Sequence, residues 1–145
     1  ASVLTDTAMA AAGISPMASR TLHNPIYSAL DWAPQEAPKN STRTALGMKR
    51  AWKELTNLNS SQASPIVVIG SAPTALNALL DLVEGGAPVP SLIIGMPVGF
   101  VGVLEAKKRL ENSHVPNIII NGSKGGAGLA AATMNALLRK AYFSN

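Results

Sequence analysis

The segment Gly122-Ser123-Lys124-Gly125-Gly126-Ala127-Gly128 has the makings of an anion cradle. Glycines let backbone N–H groups close on a ligand, Lys124 adds charge, and a helix dipole would lie behind them. The Gly-Lys-Ser/Thr ending of a Walker A loop is missing, and so is the Gly-x-Gly-x-x-Gly fingerprint of a first βα unit. The competing reading is a plain glycine turn that lets a helix pack closely on a strand. Arg43 falls just inside an expected helix N-terminus, where a cation opposes the dipole. A guanidinium held in that position suits bidentate pairing with a carboxylate, and simple exposure is the commoner fate of an arginine. The only histidines, His23 and His114, stand beside Asn24-Pro25 and Val115-Pro116, with no His, Cys or carboxylate at ligand spacing, so no metal site is expected. Either imidazole is chemically able to serve as a general acid, against the plainer expectation of a solvated or locally bonded ring. Thr5-Asp6-Thr7 and Ser71 put hydroxyls and a carboxylate at strand ends, without a Ser-His-Asp spacing or a Gly-x-Ser-x-Gly elbow.

The elements that must position these groups repeat one construction. Ile66-Val67-Val68-Ile69 is a β-branched run of the kind buried on both faces in a parallel sheet. It passes through Gly70-Ser71-Ala72 into a helix with Pro73 at its first position, capped by Ser71 or Ala72 and ended by Gly85-Gly86. A second short strand, Pro90 to Gly95, leads through Met96-Pro97-Val98-Gly99-Phe100 into a helix over about Val103 to Glu111. A third, Val115 to Asn121, turns through the glycine segment into a helix over about Leu129 to Tyr142, with Arg139 and Lys140 in its last turn. Right-handed crossovers bring all three loops to one edge of the sheet. Met96, Val98, Phe100 and Val101 cannot all turn inward from so short a loop, which points to a flat apolar ligand or a partner subunit; the bland alternative is that they close the core beneath.

Upstream, Ser2 to Thr7 reads as a short strand and turn. Thr5, Asp6 or Thr7 would cap an Ala-rich helix from Ala8 to Ala12, stopped at Gly13. Residues 15 to 41, broken by Pro16, Pro25, Pro34 and Pro38, read as irregular with a strand near Thr21-Leu22-His23. Asn40-Ser41-Thr42 then caps a helix from about Arg43 to Leu55, and residues 57 to 64 form a polar surface connector.

Composition bounds the answer. At 145 residues, 47% hydrophobic and 14% charged, the chain is expected to be one α/β domain: an open, mostly parallel sheet with helices on both faces. With no cysteine, disulfides and thiolate metal sites are excluded, which fits a cytoplasmic location. The net charge of +4 is spread without a basic block, so no nucleic-acid tail is indicated and an acidic small molecule suits it as well. No apolar run is long enough to span a bilayer, and no secretory signal is evident. The chain opens at Ala1, already within a strand, so an upstream segment is expected.

Thr5-Asp6-Thr7-Ala8-Met9, Ser41-Thr42-Arg43-Thr44-Ala45, Ile69 to Leu76, the octet Gly95-Met96-Pro97-Val98-Gly99-Phe100-Val101-Gly102 and Lys124-Gly125-Gly126 together closely resemble the precorrin-8X methylmutase family of cobalamin biosynthesis. The octet is highly specific, and the likeness is tight from residue 66 onward. The resemblance implies an α/β homodimer that moves a methyl group from C11 to C12 of a corrin ring with no cofactor, acting on precorrin-8X or its cobalt form. It also implies substrate-binding roles for Thr5, Asp6, Arg43, Ser71, Thr74, Met96, Pro97, Gly99, Phe100, Lys124, Gly125 and Gly126. This sequence departs from the family pattern at Ser71, where Asn is usual, and at Ser123, where Arg is common. The family's catalytic histidine lies in an amino-terminal segment ahead of the matched part; His23 and His114 occupy no matching position.

Two other readings stay beside this one. A chain without the family histidine would bind a corrinoid, or serve as a structural partner, without turning it over. An unrelated nucleotide-binding α/β domain rests on the glycine segment alone, and a nucleotide-binding screen is expected to be blank.

Overall fold

Val67, Val68 and Ile69 are fully buried, and Ile93 and Ile94 as well, because the strands they form are covered on both faces. A computed structural model describes residues 1–145 except Asn59, Ser60, Phe100, Gly122, Ser123 and Asn145, and the side chain of Leu58. Among the described residues five strands, β1 (Val3–Thr5), β2 (Ile26–Ser28), β3 (Ile66–Ile69), β4 (Leu92–Gly95) and β5 (Asn117–Ile119), form one sheet in the order β2-β1-β3-β4-β5. Every pairing is parallel, with Val3 opposite both Ile26 and Ile66, Val68 opposite Ile94, and Ile94 opposite Ile118. The sheet is thus wholly parallel, and the α/β architecture expected from the sequence holds.

Helices α1 (Ala8–Arg20) and α5 (Ala127–Phe143) cover one face, where Ile14, Ala130, Met134 and Leu138 meet Val3, Val68 and Ile94. Helices α2 (Arg43–Leu58), α3 (Pro73–Glu84) and α4 (Val103–Glu111) cover the other, with Trp52, Met48, Leu76, Leu79 and Leu110 packed on Leu4, Val67, Ile69 and Ile93. The Trp52 indole N–H is satisfied by Pro88 O at 3.0 Å, so the ring is buried without cost to its polar atom. Arg109 of α4 reaches Asp81 (2.6 Å) and Glu84 (3.1 Å) and clamps α4 to α3.

Local sequence misleads in the first third of the chain. Gly13 does not end α1, which runs on to Arg20 through both Gly13 and Pro16. Pro16 lies on the exposed side, where the carbonyl it leaves without an N–H partner, that of Ala12, meets water. Gly13 faces Ala131, and a Cβ on it would lie 3.0 Å from that methyl group, so the small residue serves the close approach of α1 and α5. The helix stops instead at Thr21 and His23, whose N–H groups both return to Ala18 O, with His23 in the left-handed region at φ 57. The second strand consequently lies at Ile26–Ser28, not at Thr21-Leu22-His23, and is followed by a 3-10 turn over Ala29–Trp32. Helix α2 continues past Leu55 to Leu58, shortening the polar connector. Helix α5 begins two residues early, at Ala127.

Candidate functional site

Each helix that follows a parallel strand begins at the carboxyl edge of the sheet, so the loops after β1, β3, β4 and β5 share that edge. The strand order reverses between β1 and β3, the usual position of an open crevice in this topology. Here a side chain fills it. Asp6 is fully buried, and its carboxylate accepts the N–H groups of Gly70 (2.9 Å), Ser71 (2.9 Å) and Ala72 (2.7 Å). These are the donors that an anion at the start of α3 would use, and Ala72, the N-cap residue, has no capping side chain of its own. The protein supplies the anion itself. Burial pushes the Asp6 carboxyl above its ordinary range, and the three N–H donors pull it back only in part.

The other loops are stitched to this one through backbone. Met96 N–H donates to Ile69 O (2.8 Å), Val98 N–H to Ser71 O (3.3 Å), and Gly126 N–H to Met96 O (2.9 Å). Ser71, the Met96–Gly99 turn and Gly125-Gly126 therefore lie side by side. Gly125 is there because a Cβ would collide with Met96 O. On the far side of α3, Thr74 Oγ1 lies 3.0 Å from Thr42 Oγ1, and Thr42 caps α2 by accepting Ala45 N–H at 3.0 Å. This bond brings the α2 N-terminus, and Arg43 with it, to the same edge. Arg43 is exposed, with its Nε donating to Pro34 O at 2.7 Å.

Within that edge the expected residues face different ways. Thr5 is fully buried, its hydroxyl donating to Thr7 O (2.7 Å) and Tyr27 O (3.2 Å), and Thr7 rather than Thr5 or Asp6 caps α1. Met96 is 2% exposed and packs in the α1–α5 core, where Thr133 Oγ1 meets its sulfur at 3.7 Å. Pro97 is buried too. So Met96 closes the core beneath the loop, while Val98 and Val101 stay exposed, Val101 at 91%. Ser71 is half-buried, Thr74, Gly99 and Lys124 are exposed, and the Lys124 ammonium has no hydrogen-bond partner among the described residues. Phe100, expected at the site, lies outside the described residues. Both histidines belong to connections at the opposite, amino-terminal edge: His23 follows α1 and His114 precedes β5.

Sequence reasoning passed over three apolar residues at this edge. Met9, Leu104 and Leu129 are exposed at 73%, 59% and 42% in the first turns of α1, α4 and α5, and with Val98 and Val101 they flank the loops from both faces of the sheet. The available signal was a large apolar side chain in a helix's first turn, where polar residues are the rule. It also passed over Lys107, only 4% exposed, whose Nζ donates to Ile120 O (2.9 Å) and Lys124 O (2.6 Å). Its signal was a lysine inside the buried stripe Val103, Ala106, Leu110.

Among the described residues no group of three or more His, Cys, Asp or Glu is arranged to hold a metal ion, and no helix is long and apolar enough to cross a membrane. A family model for precorrin-8X methylmutase matches residues 1–140. A cobalt-precorrin-8 methylmutase from Synechocystis is 42% identical over 140 residues, covering 97% of this chain and 61% of the relative. A precorrin-8X methylmutase from Pseudomonas aeruginosa is 38% identical over 143 residues, covering 94% and 64%. A solved structure of precorrin-8X methyl mutase from Thermus thermophilus superposes with a TM-score of 0.81 at 38% identity, covering 99% of this chain and 68% of the other. The chain spans about three fifths of the length of the two named sequence relatives.

Proposed function

The chain belongs to the precorrin-8X methylmutase family, and on that premise we propose that it forms the corrinoid-holding part of an isomerase of cobalamin biosynthesis. The reaction is an intramolecular shift of a methyl group from C11 to C12, with precorrin-8X or its cobalt form as substrate. One bond to the methyl carbon breaks as another forms within the same molecule, so the protein's task is to fix one geometry and to place a proton. The observation that carries the reading is the stitching of the β3, β4 and β5 loops by Ser71–Val98 and Met96–Gly126 backbone bonds into one edge with an apolar rim.

Val98, Val101, Leu104, Leu129 and Met9 offer apolar surface to the face of a flat macrocycle. Lys124 and Arg43, neither of them in an ion pair among the described residues, supply charge for its peripheral carboxylates, and Gly99, Gly125 and Gly126 let backbone approach. Ser71 and Thr74 offer hydroxyls between them. Thr5, Asp6, Met96 and Pro97, all buried, serve by holding the loops. With His23 and His114 at the other edge, the proton required by the shift comes from a different group. We further place the protein in the cytoplasm as a homodimer that binds no nucleic acid.

Isothermal titration with hydrogenobyrinic acid, the metal-free product, followed in parallel by the visible band of the corrin, tests the reading. Saturable heat with a band shift is expected. Absence of both would overturn it. Turnover of precorrin-8X then separates an isomerase from a binding module, and sedimentation reads the dimer.

A further inference from the structure

We infer that Lys107 is the positioning residue of the Lys124-Gly125-Gly126 loop, drawing the Lys124 carbonyl inward so that the Gly125 N–H is presented to an anionic ligand. The inference deepens the corrinoid reading and rests on it for the identity of the ligand.

A lysine within the buried stripe of α4 is expensive unless its ammonium is fully hydrogen-bonded. Lys107 meets that need by donating to Ile120 O at the end of β5 and to Lys124 O beyond the turn. The two acceptors are four residues apart in sequence, so one ammonium ties the end of β5 to Lys124. Both bonds run to main-chain atoms, and the Lys124 ammonium has no hydrogen-bond partner among the described residues. Burial lowers the Lys107 pKa from its ordinary value, the expected direction for an ammonium removed from water.

The consequence follows from peptide geometry. In a trans peptide the C=O and the next N–H point in opposite directions. With Lys124 O turned toward Lys107, the Gly125 N–H is turned away from α4, and the described backbone bonds do not include it. The next N–H, that of Gly126, is taken by Met96 O at 2.9 Å and pins the loop to the β4 turn. Lys107 from one side and Met96 from the other therefore leave one backbone donor and one lysine ammonium, those of Gly125 and Lys124, on the open side. That pair matches a carboxylate.

The test compares Lys107→Met, Lys107→Arg and Lys124→Met in two measurements on the whole chain. In the ligand-free protein, amide hydrogen exchange at Gly126 is expected to rise at least tenfold in Lys107→Met, and to stay near wild type in Lys107→Arg and in Lys124→Met. In titrations with hydrogenobyrinic acid, Lys107→Met is expected to lose about tenfold in affinity and to flatten the salt dependence as Lys124→Met does, with the double variant no worse than the single ones together predict. Lys107→Arg is expected to recover most of the affinity. A Lys107→Met protein that melts earlier yet keeps wild-type Gly126 exchange and wild-type affinity would overturn the inference. If the wild type does not bind hydrogenobyrinic acid, the corrinoid reading fails while the exchange measurement still decides the role of Lys107.

Discussion

Asp6 Oδ1 accepts the N–H of Gly70 at 2.9 Å across 64 residues of chain, and this bond adds to the β1–β3 ladder at the point where the strand order reverses. With Ser71 and Ala72 on the other oxygen, a single carboxylate caps α3 and fixes the loop that carries Ser71. Asp6→Ala leaves three N–H groups, one buried and two partly buried, without their acceptor. We expect a loss of about 2–4 kcal/mol of unfolding free energy, read by urea denaturation, and a result within about 0.5 kcal/mol of wild type would show that water replaces the carboxylate freely.

The pH dependence of that contribution has a definite sign. Burial raises the folded-state value of Asp6 above its ordinary 3.8, so between the two values the native protein keeps a proton that the unfolded chain has released. Stability from this group is fully present below the unfolded value and falls as pH rises through the folded one. Asp6→Asn does not titrate and serves as the reference. The wild-type minus Asp6→Asn difference in unfolding free energy is expected to shrink from pH 3.5 upward; a difference that grows with pH contradicts the assignment.

Gly70 is packed against the start of α5, where a Cβ would stand 2.6 Å from Ala127 Cα and 3.1 Å from its nitrogen. Both are backbone atoms, so no side-chain rotation relieves the contact. Gly70→Ala is expected to cost about 1–3 kcal/mol in thermal or chemical unfolding. The same change at Gly128, where a Cβ meets open space, is the control and is expected to leave stability unchanged or slightly higher.

The apolar rim separates binding from folding. Val101 and Leu104 are 91% and 59% exposed, so Val101→Ser and Leu104→Ser are expected to shift stability by no more than about 0.5 kcal/mol. If a macrocycle covers them, each loses part of about 1.5–3 kcal/mol of burial, and the pair together is expected to lower hydrogenobyrinic acid affinity by about tenfold or more. Titration of the double variant checks this, and unchanged affinity would remove the rim from the site.

What the sequence by itself determined is whatever depends on neighbours along the chain. The β-branched run Ile66–Ile69 and the proline at the first position of α3 report local preferences, and the structure keeps both. A parallel sheet with crossover helices follows from three such units in succession, and it brings their loops to one edge through connection rules alone.

Only the tertiary structure decided what lies across those units. Gly13 and Pro16 are helix breakers by local rules, yet α1 continues because Gly13 meets Ala131 and the carbonyl freed by Pro16 faces solvent. Asp6 and Met96 were legible as ligand contacts or as structure until the partners of one and the burial of the other were known. Lys107 read as one charge among many until its carbonyl acceptors were in place. The physical reason is common to all five. What each residue costs or contributes is set by its surroundings in the folded protein, and no window along the chain contains them.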